Sequence, residues 1–105
     1  MSARAHHDRA LELALGSQDA PVVAAVLVGF ADLAVRLGRP AAAARLLGAA
    51  SGVRGGPDRA NLDHPRVEAA ARAALGEAGF AEAYAGGLGY RLETAGEVVR
   101  VTLDA

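Results

Sequence analysis

The sequence predicts an all-α protein, five to six helices packed as antiparallel hairpins, and three observations carry that reading. Apolar residues recur at steps of three and four along most of the chain, the period of a helix with one buried face. At Gly38-Arg39-Pro40 a helix-stopping glycine stands directly before a helix-starting proline, and so short a connection folds consecutive helices back on each other. Apolar residues make up 52% of the chain but aromatic ones only 4%, so the core has to be built from Ala, Leu and Val. That composition suits closely packed helices, and Ala and Leu are strong helix formers. A chain of 105 residues is expected to form one domain, spanning 1–105.

The elements follow in order. A first helix, from about Ala3 to Gly16, sets Leu11, Ala14 and Leu15 on one face. Ser17-Gln18-Asp19 breaks it, with Asp19 as the next N-cap and Pro21 in the following first turn. The second helix carries the widest apolar stripe: Val22, Val23, Val26, Leu27, Phe30, Leu33, Ala34 and Leu37. After Gly38 the third helix runs from about Pro40 to Val53, with Ala43, Leu46, Leu47, Ala50 and Val53 facing inward. Ser51 to Leu62, rich in glycine, reads as a flexible loop. Asp63-His64-Pro65 starts a fourth helix that presents Val67, Ala70, Ala71, Ala74 and Leu75 and ends at Gly76. A short fifth, about Glu77 to Ala85, presents Phe80, Ala83 and Tyr84 and is closed by Gly86 and Gly87. In the last segment, Val98, Val99, Val101 and Thr102 have strand propensity. Leu92, Ala95, Val99 and Leu103 nevertheless keep helical spacing, and Thr94-Ala95-Gly96-Glu97 matches a capping box, so a helix is expected.

Composition excludes several functions. The formal net charge is −1 and no stretch is strongly basic, so direct contact with nucleic acid is not expected. All 11 basic residues are arginine, which with the abundant Ala and Gly suggests a GC-rich genome. No cysteine is present, which excludes disulfides, thiolate metal sites and cysteine nucleophiles and fits a cytoplasmic location. The most apolar run, Pro21 to Phe30, is about half of the roughly 20 residues a membrane span needs. Arg4 and Arg9 are followed by no continuous apolar segment, so no signal peptide is expected.

Candidate chemistry is sparse. His6 and His7 are adjacent and point about 100° apart on a helix, so they do not chelate one metal together. His64, remote from them at a helix start, reads as a surface or capping histidine. Asp58, Asp63 and Arg59 could frame a ligand with a carboxylate pair, and turn chemistry with an N-cap is the simpler account. Gly52-Val53-Arg54-Gly55-Gly56 has no Lys-Ser/Thr after it, and it and Gly86-Gly87-Leu88-Gly89 lack the preceding strand of a phosphate loop. Phe80 and Tyr84, four apart, could face a ligand, but anchoring a short helix to the core is the expected role. No catalytic residue, cofactor site or metal site is expected, and the chain is read as non-enzymatic.

With Gly38 as the turn glycine, the second and third helices resemble a tetratricopeptide repeat. Leu27, Phe30 and Ala31 fall at the large–large–small positions of its first helix, and Ala43, Leu47 and Ala50 at the small–large–small positions of its second. Small residues let two axes approach and large ones fill the groove beside them. The pattern departs at Ala34, where the repeat has an aromatic, and at Gly55, where it closes with a proline that here comes late, at Pro57.

A second resemblance covers more of the chain. Leu37-Gly38-Arg39-Pro40 followed by Ala43-Ala44-Arg45-Leu46-Leu47-Gly48-Ala49-Ala50 is similar to the tetratricopeptide-like C-terminal region of large bacterial transcriptional regulators. These are the antibiotic-regulatory (SARP) type and the large ATP-binding LuxR type. The run Ala74 to Gly87 is similar to the segment that closes that region, and Leu92 to Leu103 matches its terminal helix. The resemblance implies a right-handed tetratricopeptide-like array that serves as a sensory or protein-contact module. It also implies a protein partner, or other domains of a larger regulator. The DNA-binding and NTPase machinery of such regulators has no counterpart in this sequence. A helical hairpin does not bury its apolar face alone. The first helix looks like the second half of a hairpin whose first half is missing, so an exposed apolar edge and a homodimer are expected. A small-molecule effector bound under the Ser51–Leu62 loop is the alternative reading.

Overall fold

The computed structural model describes residues 2–56, 61 and 63–103. The helices are α1 (Ala3–Ser17), α2 (Ala20–Arg36), α3 (Pro40–Arg54), α4 (Asp63–Gly87) and α5 (Ala95–Leu103), with a 3-10 turn at Leu92–Thr94. No strand occurs among the described residues, and the C-terminal valines lie in α5. The radius of gyration, 12.1 Å, is close to the roughly 13 Å of a globule of this length, so the helices close around one core. None of them is long and apolar enough to cross a membrane.

The ends of the helices follow from local chemistry. Ser2 accepts the Ala5 N–H to start α1, and Asp19 accepts the Val22 N–H to start α2, as its sequence position predicts. At the end of α2 the Gly38 N–H bonds to Val35 and the Arg39 N–H to Ala34, at 3.0 and 2.9 Å. These are the paired bonds of a Schellman ending, and they require the left-handed φ of 73° that Gly38 supplies. Pro40 then begins α3. The Arg39 guanidinium donates to the Leu103 carbonyl at 2.7 Å, tying the start of α3 to the end of α5.

Helix α3 is the centre of the molecule. It packs on α2 along one side, on α4 along another and on α5, and Ala43, Ala44, Leu46, Leu47, Gly48, Ala49, Ala50, Ser51 and Val53 are all buried. Phe30, Leu27, Leu46, Leu47, Val23, Val67 and Val98 are the largest fully buried side chains. The small residues of α3 let α4 approach backbone to backbone. A Cβ added at Gly48 would stand 2.0 Å from the Tyr84 carbonyl oxygen, and one at Gly87 2.0 Å from that of Arg45.

Several expectations need correction. Ser51 to Arg54 is the last turn of α3, not part of a loop. Ser51 is buried and bonds to the Tyr84 hydroxyl at 2.6 Å, so a tertiary contact holds the turn that the glycines seemed to open. Of the rest of the expected loop, Gly55, Gly56 and Asn61 are described. Positions 57–60 and 62, including Asp58 and Arg59, lie outside the described residues. Val22 and Leu37, placed on the α2 stripe, are exposed because they sit at its two ends. Ala70 and Ala74 are exposed as well, since the first part of α4 buries a narrower stripe of His64, Val67 and Ala71. Gly76 breaks α4 where the fourth helix is expected to end, and the second part of α4 stops at Gly87, within two residues of its expected close, with Gly87 also serving close packing. Thr94 does not cap forward towards Glu97. Its hydroxyl oxygen accepts the Arg91 N–H at 2.9 Å and closes the 3-10 turn instead.

The outward face of α1 carries the ion pairs Arg4–Asp8 and Arg9–Glu12, at 2.9 and 3.5 Å. Leu13, 61% exposed, is its large exposed apolar residue.

Candidate functional site

The site begins with one backbone break. Gly76 has φ 74° and ψ 167°, outside helical geometry, and divides α4 into two arms. Only glycine adopts that conformation without strain. Each arm then shows one face at four-residue steps, the spacing at which side chains stand above one another on a helix. The first arm presents His64, Glu68 and Arg72, and the second Phe80 and Tyr84 with Ala81 and Ala85 beside them; Leu88, in the turn just past the end of α4, completes the lining. Together these eight residues line an open cleft of about 420 Å³.

The aromatic wall is held in place from behind. Phe80 is buried and its ring stacks on Tyr84 at 5.6 Å between centroids. The Tyr84 hydroxyl is fixed by Ser51 of α3. Arg72 lays its guanidinium over the Phe80 ring, 4.1 Å from the centroid, a cation–π contact, and pairs with Glu77 across the break. Glu68 sits between Arg72 Nη2 at 3.8 Å and His64 Nε2 at 4.0 Å. Both distances exceed a hydrogen bond, so the Glu68 carboxylate accepts none among the described residues.

The first arm is clamped to α2. Arg66 pairs with Asp32 at 3.0 Å and with Asp63 at 3.2 Å, and Asp32 also meets Arg36 at 3.2 Å. The hydrogen bond from Arg66 holds the Asp32 carboxyl below its ordinary range, with the charges of Arg66 and Arg36 acting the same way and partial burial opposing them. Asp63 is thereby engaged with Arg66.

The sequence-predicted positions fall elsewhere. Leu27, Phe30, Ala31, Ala43, Leu47 and Ala50 are in the core, and Gly38 is in the turn before α3. His7 packs its ring 5.4 Å from that of Phe30, with Nδ1 2.7 Å from the Ala3 carbonyl oxygen; His6 is exposed. Among the described residues no three His, Asp or Glu side chains converge as metal ligands would. His64, expected as a surface or capping histidine, does stand at the start of α4 but is buried there, between the cleft and α3. Sequence reasoning singled out Phe80 and Tyr84 but missed the His64–Glu68–Arg72 row opposite. The signal was available as a second four-residue period on the other side of Gly76. Between Ala24, Ser51, Arg54, Asn61 and His64 there is about 10 Å³ of free space, room for about one water.

No family model matches the chain, and neither does any curated protein or solved structure.

Proposed function

We propose that this chain is a non-enzymatic protein–protein interaction module with a regulatory role, built as a tetratricopeptide-like helical array that resembles the C-terminal region of a bacterial transcriptional regulator. On this reading α2 and α3 form an antiparallel hairpin, as their three-residue connection demands, and the cleft of α4 receives a segment of the partner. The partner is another protein or another domain of the same regulator. The observation that carries the reading is the cleft itself: an aromatic and aliphatic wall facing a polar row, on a scaffold whose own core is closed. Apolar surface of this kind, rimmed by charges, suits helix-in-groove recognition.

The test is site-specific photo-crosslinking in cells, with the reactive group at Ala85 in the cleft or at Ala73, which is exposed on α4 away from it. A single polypeptide segment attached at position 85 and not at 73 is the expected result. Equal labelling at both positions would sink the reading.

A second reading, an effector-sensing domain, draws support from the size of the same cleft, which lies in the range of small-molecule sites. The Ser51–Leu62 loop under which that effector is expected lies in part outside the described residues. A small-molecule adduct at position 85 would favour this second reading.

A further inference from the structure

We infer that the segment received by the α4 cleft is basic: it lays apolar side chains along Phe80, Tyr84 and Leu88 and sets an arginine or lysine against Glu68. This deepens the reading of the cleft as a docking groove and rests on it.

Three observations converge. The first is Glu68. Its side chain is 35% exposed at the edge of an apolar wall and no donor is within hydrogen-bond distance of its carboxylate among the described residues. Any occupant that covers it removes water from a charge, which is costly unless the occupant brings a donor cation. Arg72 fills that role only in part: it stands 3.8 Å from Glu68 as an ion-pair partner but is shared with Glu77 and with the face of Phe80.

The second is the charge of the helix. Along α4 four acids, Asp63, Glu68, Glu77 and Glu82, stand against two arginines, Arg66 and Arg72. Both arginines are engaged in ion pairs, whereas Glu82 is exposed and enters none among the described residues. The formal charges of α4 therefore sum to −2, and with Arg91 at the Leu88 end of the cleft, donating to the Leu88 carbonyl at 2.8 Å, a positive segment is favoured on the Glu68 side. The third is Arg72 itself. The chain's own guanidinium lies on the aromatic wall with Glu68 and Glu77 around it. The wall thus accommodates a cation next to carboxylates, and the Tyr84 ring continues it one helical turn further on. A partner helix with anchors four residues apart matches the step of the cleft.

The test uses the full chain and three short synthetic peptides with the same leucine face, whose polar faces are Lys/Arg, Gln or Glu. Binding is followed by fluorescence anisotropy at physiological salt. The basic peptide should bind about tenfold more tightly than the neutral one, and Glu68→Gln should remove most of that preference. Ala81→Arg, in the cleft wall, should abolish binding, whereas Ala73→Arg adds the same charge outside the cleft and should change affinity by no more than about twofold. If the neutral peptide binds as tightly and Ala81→Arg blocks both, the docking groove stands and the basic partner is refuted. If Ala73→Arg weakens binding as much as Ala81→Arg, the attraction is diffuse and the assignment of Glu68 fails. If no peptide binds, both the groove and its charge preference fall. Dimers that Ala81→Arg converts to monomers would give the cleft to a second copy and overturn the inference.

Discussion

Replacing Gly48 by alanine should be among the most damaging single changes to this protein, although it adds only one methyl group to a helix. The new Cβ would lie 2.0 Å from the Tyr84 carbonyl oxygen and 2.9 Å from its carbon. A carbon–oxygen contact settles at about 3.3 Å or more, so α3 and the second arm of α4 would have to separate by more than about 1 Å. The obstacle is backbone, and no side chain can swing aside. The interior is packed too closely for the strain to dissipate. Overpacking of this kind costs about 1–3 kcal/mol and more where the backbone must move, against a gain of up to about 1 kcal/mol in helix propensity. A net loss of about 3 kcal/mol should lower the melting temperature by roughly 15 °C. The comparison is Gly16→Ala in α1, where a Cβ would meet nothing within 4 Å and the propensity gain is unopposed. Thermal melts of the two variants followed by circular dichroism decide the matter. If Gly48→Ala melts with or above the parent, α3 and α4 do not meet through their backbones, and the placement of the cleft built on that contact is wrong.

Two further outcomes follow from contacts around the cleft. The Asp32 carboxyl is held below its ordinary value by Arg66 in the folded protein, so its stabilising contribution is complete above the unfolded-state pKa of about 3.9 and is lost as pH falls through the lower folded-state value. Asp32→Asn should therefore be less stable than the parent at pH 6, with the gap closing at and below about pH 3–4. Urea midpoints across that range would contradict this if the gap were constant. Tyr84→Phe leaves the buried Ser51 hydroxyl without the partner it has at 2.6 Å and should cost about 1–2 kcal/mol. The double variant with Ser51→Ala should cost less than the two single changes together, a coupling that a double-mutant cycle in denaturant reads directly.

What the sequence made legible was mostly what a few neighbouring residues decide. Asp19 caps α2 because its carboxylate reaches an N–H three residues on, and Gly38-Arg39-Pro40 turns the chain because its φ requirements are local. The inward positions of α3 were readable for the same reason: a helix buried nearly all round shows Ala, Gly and Leu almost everywhere. Errors arose where tertiary contacts overrule composition. Ser51 and Gly52 look like the start of a loop until Tyr84 bonds to the one and the Leu88 and Tyr90 carbonyls crowd the other. Thr94 has the right neighbours for a capping box, yet its hydroxyl is already taken by Arg91. Ala70 and Ala74 share the periodicity of Val67 and Ala71, but alanine is small enough to be tolerated on either side of a helix, so its spacing says little about burial.

The cleft was hidden for a different reason. Neither arm of α4 has a strong apolar stripe, because each devotes part of its surface to the other. His64, Glu68 and Arg72 read separately as a cap, a surface acid and a surface base. Phe80 and Tyr84 read as anchors, and both are: Phe80 is buried, and Tyr84 packs against the core and bonds to Ser51. Only the break at Gly76 makes one row face the other; the sequence shows that break as a helix end, but not the angle at which the second arm leaves it, which its φ of 74° and ψ of 167° set. The same break explains why the cleft depends on α3. An arm joined through a single glycine has no rigid connection to fix its angle, so that angle must come from what it packs on. The contacts that supply it are the glycine approaches at Gly48, Gly52 and Gly87 and the Ser51–Tyr84 hydrogen bond, all made with α3. The small residues of α3 thereby act at a distance on recognition: they set how far apart the Glu68 row and the Phe80–Tyr84 wall stand, and so how wide a side chain the cleft admits.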